Sequence, residues 1–214
     1  MKLSVTKLTL VFLLLFCLTA VAQTYEEEER DILELSFYGG VGIPGSGLSD
    51  WQDSLGAKTG WEIGMDFGYF LTPDIVLGIT FAYAQFEVDT DTPANQLNHR
   101  LYNPAVYMKY YFFGEGNWAP FLRGQIGVDN AKFATFVDNP PRFRELSYDP
   151  AFAFSVGAGL HYYTSYYSGI FIQANYHYAL TEKAEKTFEG VDREFGTNIG
   201  LIEIRAGINV YFGG

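Results

Sequence analysis

The sequence is short of most residues that do covalent or metal chemistry. Its 214 residues contain one cysteine, Cys17, and three histidines, His99, His161 and His177. A single cysteine excludes an internal disulfide framework and a thiolate metal cluster. Basic residues are scarce too: Lys and Arg number 14 against 25 Asp and Glu, a formal charge of −11. That balance excludes nucleic acid as a partner, because no cationic surface is left to meet phosphate. No apolar run is long enough for a membrane helix. The longest, Leu8 to Leu18, falls well short of the ~20 residues a helix needs to cross hydrocarbon.

That run belongs to a leader. Lys2 and Lys7 form a basic start, the apolar stretch follows, and Ala20-Val21-Ala22 places small residues at both cleavage positions. Residues 1–22 are therefore read as a signal peptide cut after Ala22. Phe16 before Cys17 is too bulky for a lipoprotein signal, so the mature chain is expected to carry no cysteine. Loss of Lys2 and Lys7 leaves 12 basic against 25 acidic residues, a charge of −13. Residues 23–31 contain Glu26-Glu27-Glu28-Glu29, four adjacent like charges that repel and cannot bury, and are read as an acidic disordered tail.

What is abundant is aromatic residues and glycine: 19 Phe, 16 Tyr and 23 Gly. Aromatics suit pleated surfaces and glycine lets strands bend, a bias toward closed β architecture. The alternation is strictest in the stretch 198–212. Ile202, Ile204, Ala206, Ile208, Val210 and Phe212 share one face, while Leu201, Glu203, Arg205, Gly207, Asn209 and Tyr211 share the other. That period of two is a strand's. Seven more stretches repeat it: from Leu33 to Val41, Gly60 to Leu71, Ile75 to Ala84, Tyr102 to Phe112, Pro120 to Val128, Phe152 to Tyr162 and Ile170 to Tyr178. Pro104 within the fourth cannot donate a ladder hydrogen bond and marks a bulge or an unpaired upper end. The connections run long, short, long, short, long, short, long, the longest being read over 129–147.

A meander with all long loops on one rim and all short turns on the other is the pattern of a transmembrane barrel with an even strand count. The expected fold is therefore all-β, an eight-stranded antiparallel up-and-down transmembrane β-barrel over residues 32–212. About eleven residues per strand at ~3.3 Å, tilted by ~40°, match an apolar band ~25 Å tall. The apolar faces then meet lipid, with Trp61, Tyr69, Tyr102, Tyr110, Phe112, Tyr162, Tyr178 and Phe212 as interfacial girdles. The second faces fill a narrow polar lumen. Its charges are expected to form a network: Glu34, Glu62, Asp66 and Glu203 against Lys109, Arg123 and Arg205. Centring the short turn near Gly116 sets Lys109 opposite Arg123, with Glu34 and Asp66 the first choices as their carboxylates. A soluble lipocalin-like carrier would have the opposite phasing, with an apolar cavity and a polar exterior.

On these strands and hairpins the chain resembles the outer-membrane β-barrel domain family, the small OmpA, OmpX and opacity-protein-like barrels. The last strand carries the closest likeness. Arg205, Gly207, Val210 and Phe212 match the polar, glycine, hydrophobic, hydrophobic spacing read by the barrel-assembly machinery; Gly213-Gly214 after the aromatic departs from the pattern. The resemblance implies an outer-membrane location, outer-membrane lipids and the assembly machinery as partners, short turns and amino terminus in the periplasm, and long loops outside the cell. The separate peptidoglycan-binding domain of OmpA-like proteins is not expected.

Catalysis finds little support. Lipid A deacylases of similar architecture show a His-x-Ser element, but His99, His161 and His177 are followed two places on by Leu101, Tyr163 and Ala179. Centring a turn at Tyr166 pairs Ser155 with His177, both pointing inward, which ordinary lumen hydrogen bonding explains. No cofactor, metal or nucleotide site is expected beyond a weak loop Ca²⁺ candidate at Asp89 and Asp91. The expected function is that of a non-enzymatic envelope barrel, structural and open to an external ligand at its four long loops. A narrow porin-like channel and a lipid-modifying enzyme are the alternatives.

Overall fold

Strand β1, Leu33–Pro44, is bonded on one side to β2, Gly60–Thr72, and on the other to β11, Ile199–Phe212. First and last strands thus meet, and among the described residues the wall closes on itself. The computed structural model describes residues 33–45, 48–49, 56–88, 98–112, 117–137, 142–181, 184–188, 191–195 and 198–213. Around the wall follow β3, Ile75–Glu87, β4, Asn98–Tyr111, and β5, Trp118–Val137. Then come β7, Ala151–Ser165, and β8, Ser168–Leu180, which returns to β11. Every neighbouring pair is antiparallel. Eight strands close on themselves, which in hydrocarbon is the only way a sheet satisfies all its backbone groups.

The two faces are sorted as the alternation predicts. On β2, Met65 and Phe67 are 42% and 48% exposed while Asp66 between them is fully buried. Trp61, Ile79 and Phe154 also point outward, and Glu62 and Arg205 point in. The outer aromatics gather at two levels. Trp61, Tyr83 and Tyr102 pack in sequence with tilted rings at the loop end, with centroids 5.3 and 5.0 Å apart. Tyr110 meets Phe112 edge to face, and Trp118 packs tilted on Tyr162, at the turn end.

Three expectations need correction. The stretch 129–147 is not one connection: β5 runs on to Val137 and pairs with β6, Arg142–Ser147, as a hairpin rising above the wall. The last of the long connections likewise holds a two-stranded hairpin, β9, Ala184–Phe188, with β10, Val191–Phe195. At Pro104 there is no bulge. The register with β5 is the same on both sides, Tyr102 opposite Asn130 and Ala105 opposite Gly127, and only the bonding lapses over Asn103 and Pro104. Residues 1–32, with the signal peptide and acidic tail, lie outside the described residues, as do Asp89, Asp91 and Pro140-Pro141.

Candidate functional site

The lumen is filled in layers. At the turn end an aromatic layer holds Tyr111, Phe121 and Phe171, with Phe70 and Tyr163 packed against it. At the loop end the interior is apolar again: Phe86, Leu101, Phe133, Ile199 and Leu201 pack with Leu48 and Ala57 from the first loop. Between the two lie the charges.

The lower charged layer is built on the short β4–β5 turn. It sets Lys109 opposite Arg123, both pointing inward. Lys109 Nζ donates to Glu34 Oε1 and lies 3.8 Å from Asp66 Oδ2. Arg123 grips Asp66 with both arms of its fork, Nη1 to Oδ2 at 2.5 Å and Nη2 to Oδ1 at 3.0 Å. Glu34 also accepts from Tyr111 Oη at 2.8 Å, Ser36 Oγ at 3.2 Å and Asn209 Nδ2 at 3.3 Å. Two carboxylates face two cations, so this layer is neutral, and its hydrogen bonds offset the cost of removing four ions from water.

Glycine makes the room. Asp66 is flanked by Gly64 and Gly68, and a Cβ on either would overlap a tyrosine, Tyr38 at Gly64 and Tyr107 at Gly68. Those rings lie on the cations, Tyr107 beneath the Arg123 guanidinium at 4.3 Å and Tyr38 beneath that of Arg205 at 4.8 Å. Each desolvated guanidinium gains the attraction of a ring face at little cost in space.

The upper layer is built on β2, β5, β8 and β11. Arg205 Nη2 reaches Glu62 Oε1 at 2.5 Å and Glu203 Oε2 at 2.8 Å. His177 Nε2 is 2.7 Å from Asp129 Oδ2, and its Nδ1 is 3.9 Å from Glu203 Oε1. Asn103 donates to Asp129 Oδ1 at 2.6 Å. Asp129 belongs here and not to a loop. The sequence reading missed it because it stands where the outward face has begun to turn polar. Ser155 does pair with His177 across β7 and β8, but the Nε2 of His177 is engaged by Asp129. At the turn end, Tyr211 Oη and His161 Nε2 make a further pair at 3.0 Å.

Arg205, Gly207, Val210 and Phe212 occupy the last strand, with Arg205 buried, Phe212 half exposed and Gly207 opposite Tyr38 and Phe171. No group of three or more His, Cys, Asp or Glu among the described residues has the geometry to hold a metal ion.

Residues 8–202 match the outer membrane protein beta-barrel domain family. Among solved structures, Neisserial surface protein A is 15% identical over 86% of this chain and 100% of its own, with a TM-score of 0.59. The outer membrane protein OprG from Pseudomonas aeruginosa is 13% identical over 87% and 98%, at 0.53. Outer membrane protein W of E. coli is 14% identical over 87% and 100%, at 0.51. These likenesses are of fold. No curated protein matches the chain by sequence.

Proposed function

We propose, from the premise that this chain belongs to the outer membrane protein β-barrel domain family, that it is a non-enzymatic envelope barrel. In this reading it is closed along its axis and acts through the side that faces outward from the cell. The location follows from the family. The closed lumen rests on one observation: an aromatic layer, two layers of paired ions and an apolar layer succeed one another along the axis. An ion entering would have to displace packed aromatic rings and the balanced charge pairs of the lower layer.

Catalysis is disfavoured by the same geometry. A nucleophilic serine and its histidine must be open to the substrate. Ser155 and His177 both sit inside the wall, where an acyl chain has no path. The partners proposed are outer-membrane lipids around the apolar girdle, the barrel-assembly machinery during insertion through the Arg205 to Phe212 element, and an external ligand at the loop end. There the β5–β6 hairpin carries the chain beyond the wall.

Reconstitution into planar bilayers tests the closed lumen. Conductance at the level of the bare membrane is expected; large, stable, single-channel steps would overturn it and favour the narrow-channel alternative. Fractionation with heat-modifiable gel mobility tests the location.

A further inference from the structure

The two charged layers differ in their arithmetic. Below, Glu34 and Asp66 are balanced by Lys109 and Arg123. Above, Glu62, Glu203 and Asp129 have one permanent cation among them, Arg205, which reaches only the first two. The remaining ionisable neighbour is His177, between Asp129 and Glu203. All five are buried. Left as three carboxylates and one guanidinium, the layer would hold two uncompensated negative charges in a medium of low dielectric. The nearest other cation, Arg123, is already held by Asp66 with both arms of its fork. Tyr38 on β1 lies under Arg205, while β3, β4 and β7 present Thr80, Asn103 and Ser155, which do not ionise in this range.

We propose that the upper layer is a proton-operated clamp. Protonated, it ties β2, β5, β8 and β11 together across the lumen; deprotonated, it becomes an anionic cluster that pushes them apart. Protons exchange with the surrounding water: one sits on the His177 imidazole, which then donates Nε2–H to Asp129, and one on the Glu62 carboxyl. Loss of either proton leaves an uncompensated charge in the buried layer, so the barrel's stability falls as pH rises. The lower layer is already balanced.

The test is the pH dependence of the unfolding equilibrium in lipid vesicles between about pH 5 and about pH 9. Each retained proton makes the unfolding constant rise about tenfold per pH unit. Glu62→Gln combined with Asp129→Asn and His177→Gln leaves Glu203 with Arg205 and removes the groups that hold the protons, so it is expected to flatten the slope. Asp66→Asn combined with Arg123→Gln, which keeps the lower layer neutral, is expected to weaken the barrel and leave the slope unchanged. A wild-type barrel with no slope in this window, or a triple variant retaining the wild-type slope, overturns the clamp. Should the triple variant not fold, the imidazole ¹⁵N shifts of His177 in the intact barrel decide. A doubly protonated ring at about pH 8 supports the clamp, and a neutral ring at about pH 7 overturns it.

Discussion

Lys109 and Arg123 stand directly opposite each other across the β4–β5 pairing, two buried cations on adjacent strands, yet each is turned to a different carboxylate. Side by side they would repel. Glu34 from β1 and Asp66 from β2 approach from the facing wall, so the layer that neutralises them is also a tie across the barrel's diameter.

The Asp66–Arg123 pair is therefore expected to behave as a unit. Asp66→Asn leaves a buried guanidinium facing a neutral amide and should cost about 3–5 kcal/mol. Arg123→Gln should cost about as much, and the double variant well under the sum. Urea unfolding in vesicles, run as a double-mutant cycle, measures this. Additive losses would mean the two groups do not depend on each other.

Space is as specific as charge. A methyl group at Gly64 would overlap the ring of Tyr38, which lies against Arg205 in a packed interior. Gly64→Ala is expected to cost about 1–3 kcal/mol through overpacking. Adding Tyr38→Ala should make the combined loss smaller than the two single losses added. The same cycle reads it, and a strictly additive result would show that the ring has room to move.

Much of this was legible before any coordinates, for physical reasons with a clear boundary. Within hydrocarbon, one face must be apolar and the other must fill a narrow lumen, so period-two alternation assigned Phe67 outward and Asp66 inward. A short turn admits few registers, and so the opposition of Lys109 and Arg123 was readable. Above the lipid the code reverses. There the outward face meets water and the inward face packs an apolar plug. Phe133 is accordingly buried against His99 and Tyr148 while its neighbour Lys132 turns to Glu145. Read with the membrane rule, that stretch looks like a loop, which is why the upper part of β5 and the hairpin to β6 were not anticipated. Asp129 sits at the reversal and was assigned to the loop for the same reason.

The membrane rule makes its own prediction at mid-height. Ile126, opposite Val106, is 59% exposed and lies about midway between the two aromatic levels. Ile126→Arg should cost about 2–4 kcal/mol in a bilayer, where a lipid-facing cation at the midplane is most expensive. Ile126→Leu should be close to neutral. A tolerated arginine at this position would argue against the lipid assignment of this face.

Arg205 has two roles that one substitution separates. As the polar residue of the terminal element it is expected to be read by the assembly machinery, and in the folded barrel one of its nitrogens reaches both Glu62 and Glu203. Arg205→Lys preserves a cation at the polar position but replaces a planar fork with a point charge. It also weakens the stacking on Tyr38. Assembly in cells should therefore proceed at the wild-type level, while the purified barrel loses about 1–3 kcal/mol of stability as a charge-assisted hydrogen bond is given up. Slowed assembly with unchanged stability would reverse the assignment, placing the demand for arginine in recognition during insertion and leaving the lumen contacts as a consequence of it.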